Sequence, residues 1–166
     1  SRWKSVPNFD QEFLDEMLRA NVYTTICATK SALECFPKLQ TITNISSMAG
    51  KRGTPNNSAY VASKFAVEGL TRAWCAEFGP RQIRVNSICP VLIKSPGLLN
   101  EISGAEGPVQ GRGVDEFLDD FIQKQSPLGK LPTGRDVGNL VRFLISEAAS
   151  SISGQSINVD CGVLPG

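Results

Sequence analysis

Histidine is absent from the 166-residue sequence. Its absence excludes a Ser–His–Asp hydrolase triad and a histidine-ligated zinc site. A serine–lysine hydrolase fares little better, because the S-x-x-K spacing occurs only at Ser1 to Lys4, at the very start of the chain. Charge of one sign is also lacking. Seventeen basic residues face sixteen acidic ones, a net charge of +1 with no long like-charge block, so neither a nucleic-acid footprint nor a membrane-attracting face is expected. No apolar run approaches the roughly 18–20 residues of a membrane span, and no apolar stretch follows the early positive charges as in a signal peptide. The five cysteines, Cys27, Cys35, Cys75, Cys89 and Cys161, are odd in number and none are spaced C-x-x-C. That argues against a disulfide framework, a zinc knuckle or a thioredoxin-like site. Free thiols in a cytoplasmic protein, with no metal, are the expectation.

What is present reads as one α/β unit. Hydrophobic content is 41% and charged content 20%, near ordinary values for a globular domain. Helix and strand signals alternate, which predicts a parallel sheet. Asn8 with Gln11 resembles a capping box, and Phe13, Leu14, Met17, Leu18, Val22 and Ile26 follow helical spacing, predicting one helix over about 9–36. Strands are expected at 39–45 (LQTITNI), 83–89 (IRVNSIC) and 155–159. A second long helix is expected at 58–78, stopped by Gly79-Pro80. Thr133 and Asp136 open another, running to about 149.

One constellation carries chemistry. Tyr60 and Lys64 lie four residues apart in YVASK, and Ser47 stands thirteen residues before Tyr60 in NISSMAG. Positions i and i+4 share a helix face, so the lysine ammonium can lie beside the phenol. A free tyrosine titrates near pH 10 and is a poor base at neutrality. A neighbouring positive charge favours the phenolate, and a tyrosine so tuned can exchange the proton of an alcohol. Ser47 supplies a neutral hydroxyl to hold the reacting oxygen.

Asn21 in LRANVYTT, Ser47 in NISSMAG, Tyr60 and Lys64 in SAYVASKFAVEGL, IRVNSICP, and SGQSINVDCG occur in this order over about residues 9–162. Together they resemble the C-terminal two-thirds of a short-chain dehydrogenase/reductase. The resemblance implies the last three strands of a doubly wound Rossmann-like parallel sheet, with residues 96–127 as a segment covering the substrate. It implies an oxidoreductase that uses NAD or NADP to interconvert a small-molecule secondary alcohol and a ketone. In that scheme Tyr60 is the acid–base, Lys64 assists it and bonds the nicotinamide ribose, Ser47 orients the carbonyl and Asn21 holds a relay water. Pro90, Ile93 and Ser95 in PVLIKS correspond to the segment that contacts the nicotinamide. Here Val91 replaces the usual glycine and Ser95 a threonine, and Cys161 replaces a second glycine in VDCG. The two long helices would pair in a homodimer or homotetramer.

The family's glycine-rich cofactor turn has no counterpart at the start of the chain. Gly107, Gly111 and Gly113 in GPVQGRG match its spacing, but the preceding LLNEISGAE has no strand pattern, and a phosphate cradle needs a strand before it and a helix N-terminus behind it. A loop is expected there. Ser1 falls where the resemblance implies that a fourth strand has just ended, so the N-terminal dinucleotide-binding half is expected in an upstream segment of the same protein, or the exposed edge is expected to be covered by a second chain, with the 39–45 strand either paired by something else or left open. The rival expectation is a non-catalytic relative that keeps the helical face but cannot bind the cofactor.

Overall fold

A computed structural model describes residues 2–165. Three strands, β1 (Thr41–Ile45), β2 (Arg84–Pro90) and β3 (Ser156–Val159), form one parallel sheet in the order β1-β2-β3. Ile42 lies opposite Val85, and Ile88 opposite Ile157. β2 is the central strand, and Val85, Ile88 and Cys89 are fully buried. Side chains alternate between the faces of a strand. The Val85 face packs with Ile42 against Leu33, Leu70, Trp74 and Phe78. These come from α2 (Thr24–Cys35) and α3 (Ser58–Phe78). The Ile88 face packs with Ile157 and Val159 against Val137, Leu140, Val141 and Leu144, which belong to α6 (Gly134–Leu144). Helices therefore cover both faces, as expected for a crossover-connected parallel sheet.

Several boundaries differ from expectation for identifiable reasons. The first helix is capped by Asp10, whose carboxylate accepts from the Phe13 N–H at 2.8 Å. The side chain of Asn8 instead donates to Ser5 and Glu106, so the helix begins at Gln11. The helical run then has three parts: α1 (Gln11–Leu18), a π-helical turn (Arg19–Tyr23) and α2. Across the turn the Thr24 N–H donates to the Arg19 carbonyl, five residues back. α6 carries the full Thr133/Asp136 capping box but ends at Leu144, and a separate 3-10 turn spans Glu147–Ala149. The long helix α3 has the predicted limits.

Two further features frame the site. Between β2 and α6 lie α4 (Pro96–Ile102) and α5 (Val114–Gln125). Their own small core holds Leu98, Ile102, Val109 and Leu118, and Trp3 from the N-terminal segment completes it. The GPVQGRG stretch lies in the turns between these two helices, with no strand before it. Gly107 is there for space, since a Cβ would sit 2.3 Å from the Ile102 carbonyl oxygen. At the other side of the molecule β1 is an edge strand. Among the described residues no strand pairs with its outer side. A groove between α2 and β1 follows that edge, Ile45 is half exposed, and the Thr41 and Thr43 hydroxyls are buried without a partner. Residues 2–8 do not cover it: Lys4 donates from its backbone to Asn56, and Trp3 packs under α4.

Candidate active site

The carboxyl ends of β1 and β2 open into a cleft of about 610 Å³, the place where open α/β sheets bind ligands. Ser47, Tyr60, Pro90, Ile93 and Ser95 all line it. Ser47 follows β1 and caps the 3-10 turn Met48–Gly50, its Oγ accepting from the Ala49 N–H at 3.1 Å. That bond uses a lone pair and leaves the hydroxyl proton for a ligand oxygen. Tyr60 stands in the first turn of α3. Pro90 ends β2. Ser95 caps α4 by accepting from Leu98 N–H at 3.2 Å, again keeping its own proton.

Lys64 and Asn21 are not part of this wall. The Lys64 Nζ lies 5.6 Å from the Tyr60 ring centroid and donates to the Ile45 carbonyl at 3.2 Å, tying it to the end of β1. Burial holds the Lys64 ammonium below the ordinary lysine range, and the Arg2 charge adds to that depression. Asn21 occupies the π-helical turn. Its Nδ2 donates to the Met17 carbonyl at 3.0 Å, and its own carbonyl accepts from Thr25. π-turns recur at functional sites, and this one packs against α3.

Beneath Lys64, one turn further along α3, Glu68 is only 1% exposed. It accepts from Ser87 Oγ at 3.1 Å and Cys89 Sγ at 3.3 Å, both on β2. Burial alone would raise its carboxyl; donors from Ser156, Ser46, Ser87 and Cys89 outweigh that and hold it below the ordinary range. The carboxylate thus ties α3 to the central strand β2. Gly50 completes the seat. A Cβ there would meet the Lys64 carbonyl and Ser46 Oγ at 2.9 Å and Glu68 Cγ at 3.0 Å, so only glycine lets the loop after β1 approach α3 this closely.

Motif reading did not find Arg2, Arg52, Phe117 and Phe121, which also line the cleft. The Arg2 guanidinium lies 4.7 Å from the Tyr60 ring centroid and pairs with Glu101 at 3.8 Å. Val91 needs no left-handed backbone, whereas Cys161 adopts φ +55°. Among the described residues no cluster of acidic, cysteine or histidine side chains could hold a metal.

A family model described as enoyl-(acyl carrier protein) reductase matches residues 2–164. The chain belongs to the short-chain dehydrogenase/reductase family. It is 32% identical over 163 residues to 2-(S)-hydroxypropyl-CoM dehydrogenase 3 of Xanthobacter autotrophicus, covering 96% of this chain and 60% of that protein. It is 31% identical over 157 residues to L-2,3-butanediol dehydrogenase of Corynebacterium glutamicum, covering 93% and 60% respectively. A solved structure of 4-hydroxyisoleucine dehydrogenase complexed with NADH superimposes with a TM-score of 0.79 at 26% identity, covering 98% of this chain and 64% of that one. The chain therefore spans about 60% of the length of the curated relatives it matches.

Proposed function

We propose that this chain carries the catalytic part of an NAD(P)-dependent oxidoreductase that interconverts a secondary alcohol and a ketone. The observation that carries the reading is the meeting of Ser47 and Tyr60 on one cleft with Lys64 beside the tyrosine ring. In the ketone-reducing direction the substrate oxygen accepts from Ser47 and Tyr60. Tyr60 gives up its proton as charge develops on that oxygen, and the adjacent Lys64 cation favours the resulting phenolate. Alcohol oxidation runs the same proton path backwards. Asn21, in the π-turn against α3, would hold a water that returns protons toward Lys64.

The cleft suits the nicotinamide end of the cofactor. Pro90, Ile93 and the uncommitted Ser95 hydroxyl would hold the ring, and Lys64 the ribose. When bound, the nicotinamide supplies or accepts the hydride. Support for this cofactor class comes from the NADH-bound family structure. The described residues contain no glycine-rich strand–turn–helix cradle for the pyrophosphate, so cofactor affinity depends on more than this cleft. Residues 96–127, anchored over the site by Trp3, would act as the cover for the substrate. Titration of the enzyme with NADH and NADPH, followed by nicotinamide-linked turnover of a ketone panel, tests the proposal. Absence of both cofactor binding and turnover would favour the non-catalytic reading.

Assembly follows from the helices. α3 turns Val67, Trp74 and Phe78 to the sheet and leaves Phe65 47% exposed. On the neighbouring helical run Leu18, Tyr23 and Ile26 are also exposed. This apolar face would pair with that of a second copy in a homodimer or homotetramer. Five free cysteines and the lack of any helix, among the described residues, able to cross a membrane suit a cytoplasmic setting.

A further inference from the structure

We propose that the cleft selects alcohols and ketones whose far end is an anion of carboxylate type, and that Arg52 recognises it. Three charged side chains line the cleft: Arg2, Arg52 and Glu101. Arg2 is engaged. Its Nε lies 3.8 Å from Glu101 Oε2, its backbone N–H donates to the same carboxylate at 2.6 Å, and its guanidinium stacks over Tyr60. Arg52 is different. Its one protein partner among the described residues is neutral, the Gln125 Oε1 at 3.1 Å. Of its five N–H donors, four remain for a ligand, and the cleft carries an uncompensated positive charge at this point.

The Arg52 backbone is also held close to Ser47. The Lys51 and Arg52 N–H groups both donate to the Met48 carbonyl, at 2.9 and 3.1 Å, so the chain from Ser47 to Arg52 is a tight helical turn. At a rise of roughly 1.5–2 Å per residue, the Arg52 backbone stays within about 10 Å of Ser47. The neighbouring Lys51 turns the other way, donating to the Ser156 carbonyl at 2.7 Å and Asn158 Oδ1 at 2.6 Å on β3. That anchor fixes the turn and directs Arg52 toward α5. The cleft that Ser47 and Arg52 share is also lined by the apolar Met48, Phe117 and Phe121. A ligand with a carbonyl at Ser47 and Tyr60, an apolar body and a terminal carboxylate finds a matching group for each part on this one cleft. The guanidinium fork suits a planar oxyanion, and such bonds are about twice as strong as neutral ones.

This inference rests on the oxidoreductase reading for the reacting end but is testable apart from it. Calorimetric titration of the enzyme compares pentanoate with pentanamide, two non-reacting ligands of nearly equal shape. Pentanoate should bind more tightly by about 10–100-fold, the range expected for a charge-assisted contact. Arg52→Met should abolish that gap, and Arg52→Lys should restore part of it by keeping the charge without the fork. Equal affinity for the two ligands, no binding of pentanoate, or an unchanged gap in Arg52→Met would each overturn the proposal. A second measurement compares kcat/KM for 4-oxopentanoate and its methyl ester. The ratio should favour the acid in the wild type and fall by a similar factor in Arg52→Met. Turnover of both ketones with no such preference would sink the anion site and leave the oxidoreductase reading standing. Carboxylate-selective binding without nicotinamide-linked turnover of any ketone would do the reverse.

Discussion

Replacing Glu68 should unseat the helix that carries Tyr60 and Lys64. The carboxylate is 1% exposed and accepts from Ser87 and Cys89, with Ser46 and Ser156 also donating to it. Glu68→Ala removes the shared acceptor and strands the Ser87 hydroxyl and the Cys89 thiol on the central strand. A hydrogen bond to a charged group contributes about 1.5–3 kcal/mol, and breaking one side of a buried charged network costs about 3–5 kcal/mol. Since some donors can re-pair with water entering the space, a loss of about 3–4 kcal/mol is expected, a large share of the roughly 5–15 kcal/mol that holds a domain together. Glu68→Gln, which keeps one acceptor oxygen, should lose less. The pH dependence has a definite sign. The folded carboxyl is held below its ordinary range, so its contribution is complete above the unfolded value near pH 4.3. It is lost as pH falls through the lower folded value. The stability gap between the wild type and Glu68→Gln, measured by urea unfolding, should therefore shrink below about pH 4. A Glu68→Ala protein within about 1 kcal/mol of the wild type, or a gap that widens on acidification, would refute this account of the seat.

Gly50→Ala should cost about 1–3 kcal/mol and slow turnover, because its Cβ would push the Ser47 turn away from the Lys64 carbonyl; unfolding and steady-state assays together check both. Cys161→Gly should stabilise the fold by about 1 kcal/mol, as glycine removes the left-handed strain at φ +55°, and an unchanged or lowered denaturation midpoint would contradict it. Sedimentation at micromolar concentration should show a dimer or larger, and Phe65→Glu should shift it toward monomer; a fully active wild-type monomer would count against the helical interface.

Much of the fold was legible because the signals were local. α3 was bounded correctly since Asn56-Asn57 and Gly79-Pro80 punctuate both ends. Alternating strand and helix signals gave the parallel sheet, with strand starts displaced by one or two residues. The π-turn was not legible, since Asn21 sits in an uninterrupted helical pattern and the shift to i+5 bonding leaves no mark in residue type. Asp10 displaced Asn8 as the cap because Asn8 found other partners in Ser5 and Glu106. For the site, the residues at strand ends and in YVASK assembled on or beside one cleft. Arg2 and Phe121 reach it from segments without a motif, through the packing of Trp3 and α5, and Arg52 reaches it from the turn that follows NISSMAG. Glu68 did carry a signal, a carboxylate one turn beyond Lys64, but its meaning depends on Ser46, Ser87, Cys89 and Ser156, which only the sheet brings together.

The most direct test is the Tyr60→Phe enzyme, compared with the wild type for nicotinamide-linked turnover and for cofactor binding. The substitution removes the proton-bearing oxygen and keeps the ring beneath Arg2. Turnover should fall by at least about 10²–10⁴-fold, the range of general acid–base contributions, while the cofactor dissociation constant stays close to that of the wild type. A Tyr60→Phe enzyme that keeps most of its activity would contradict the assignment of Tyr60 as the acid–base.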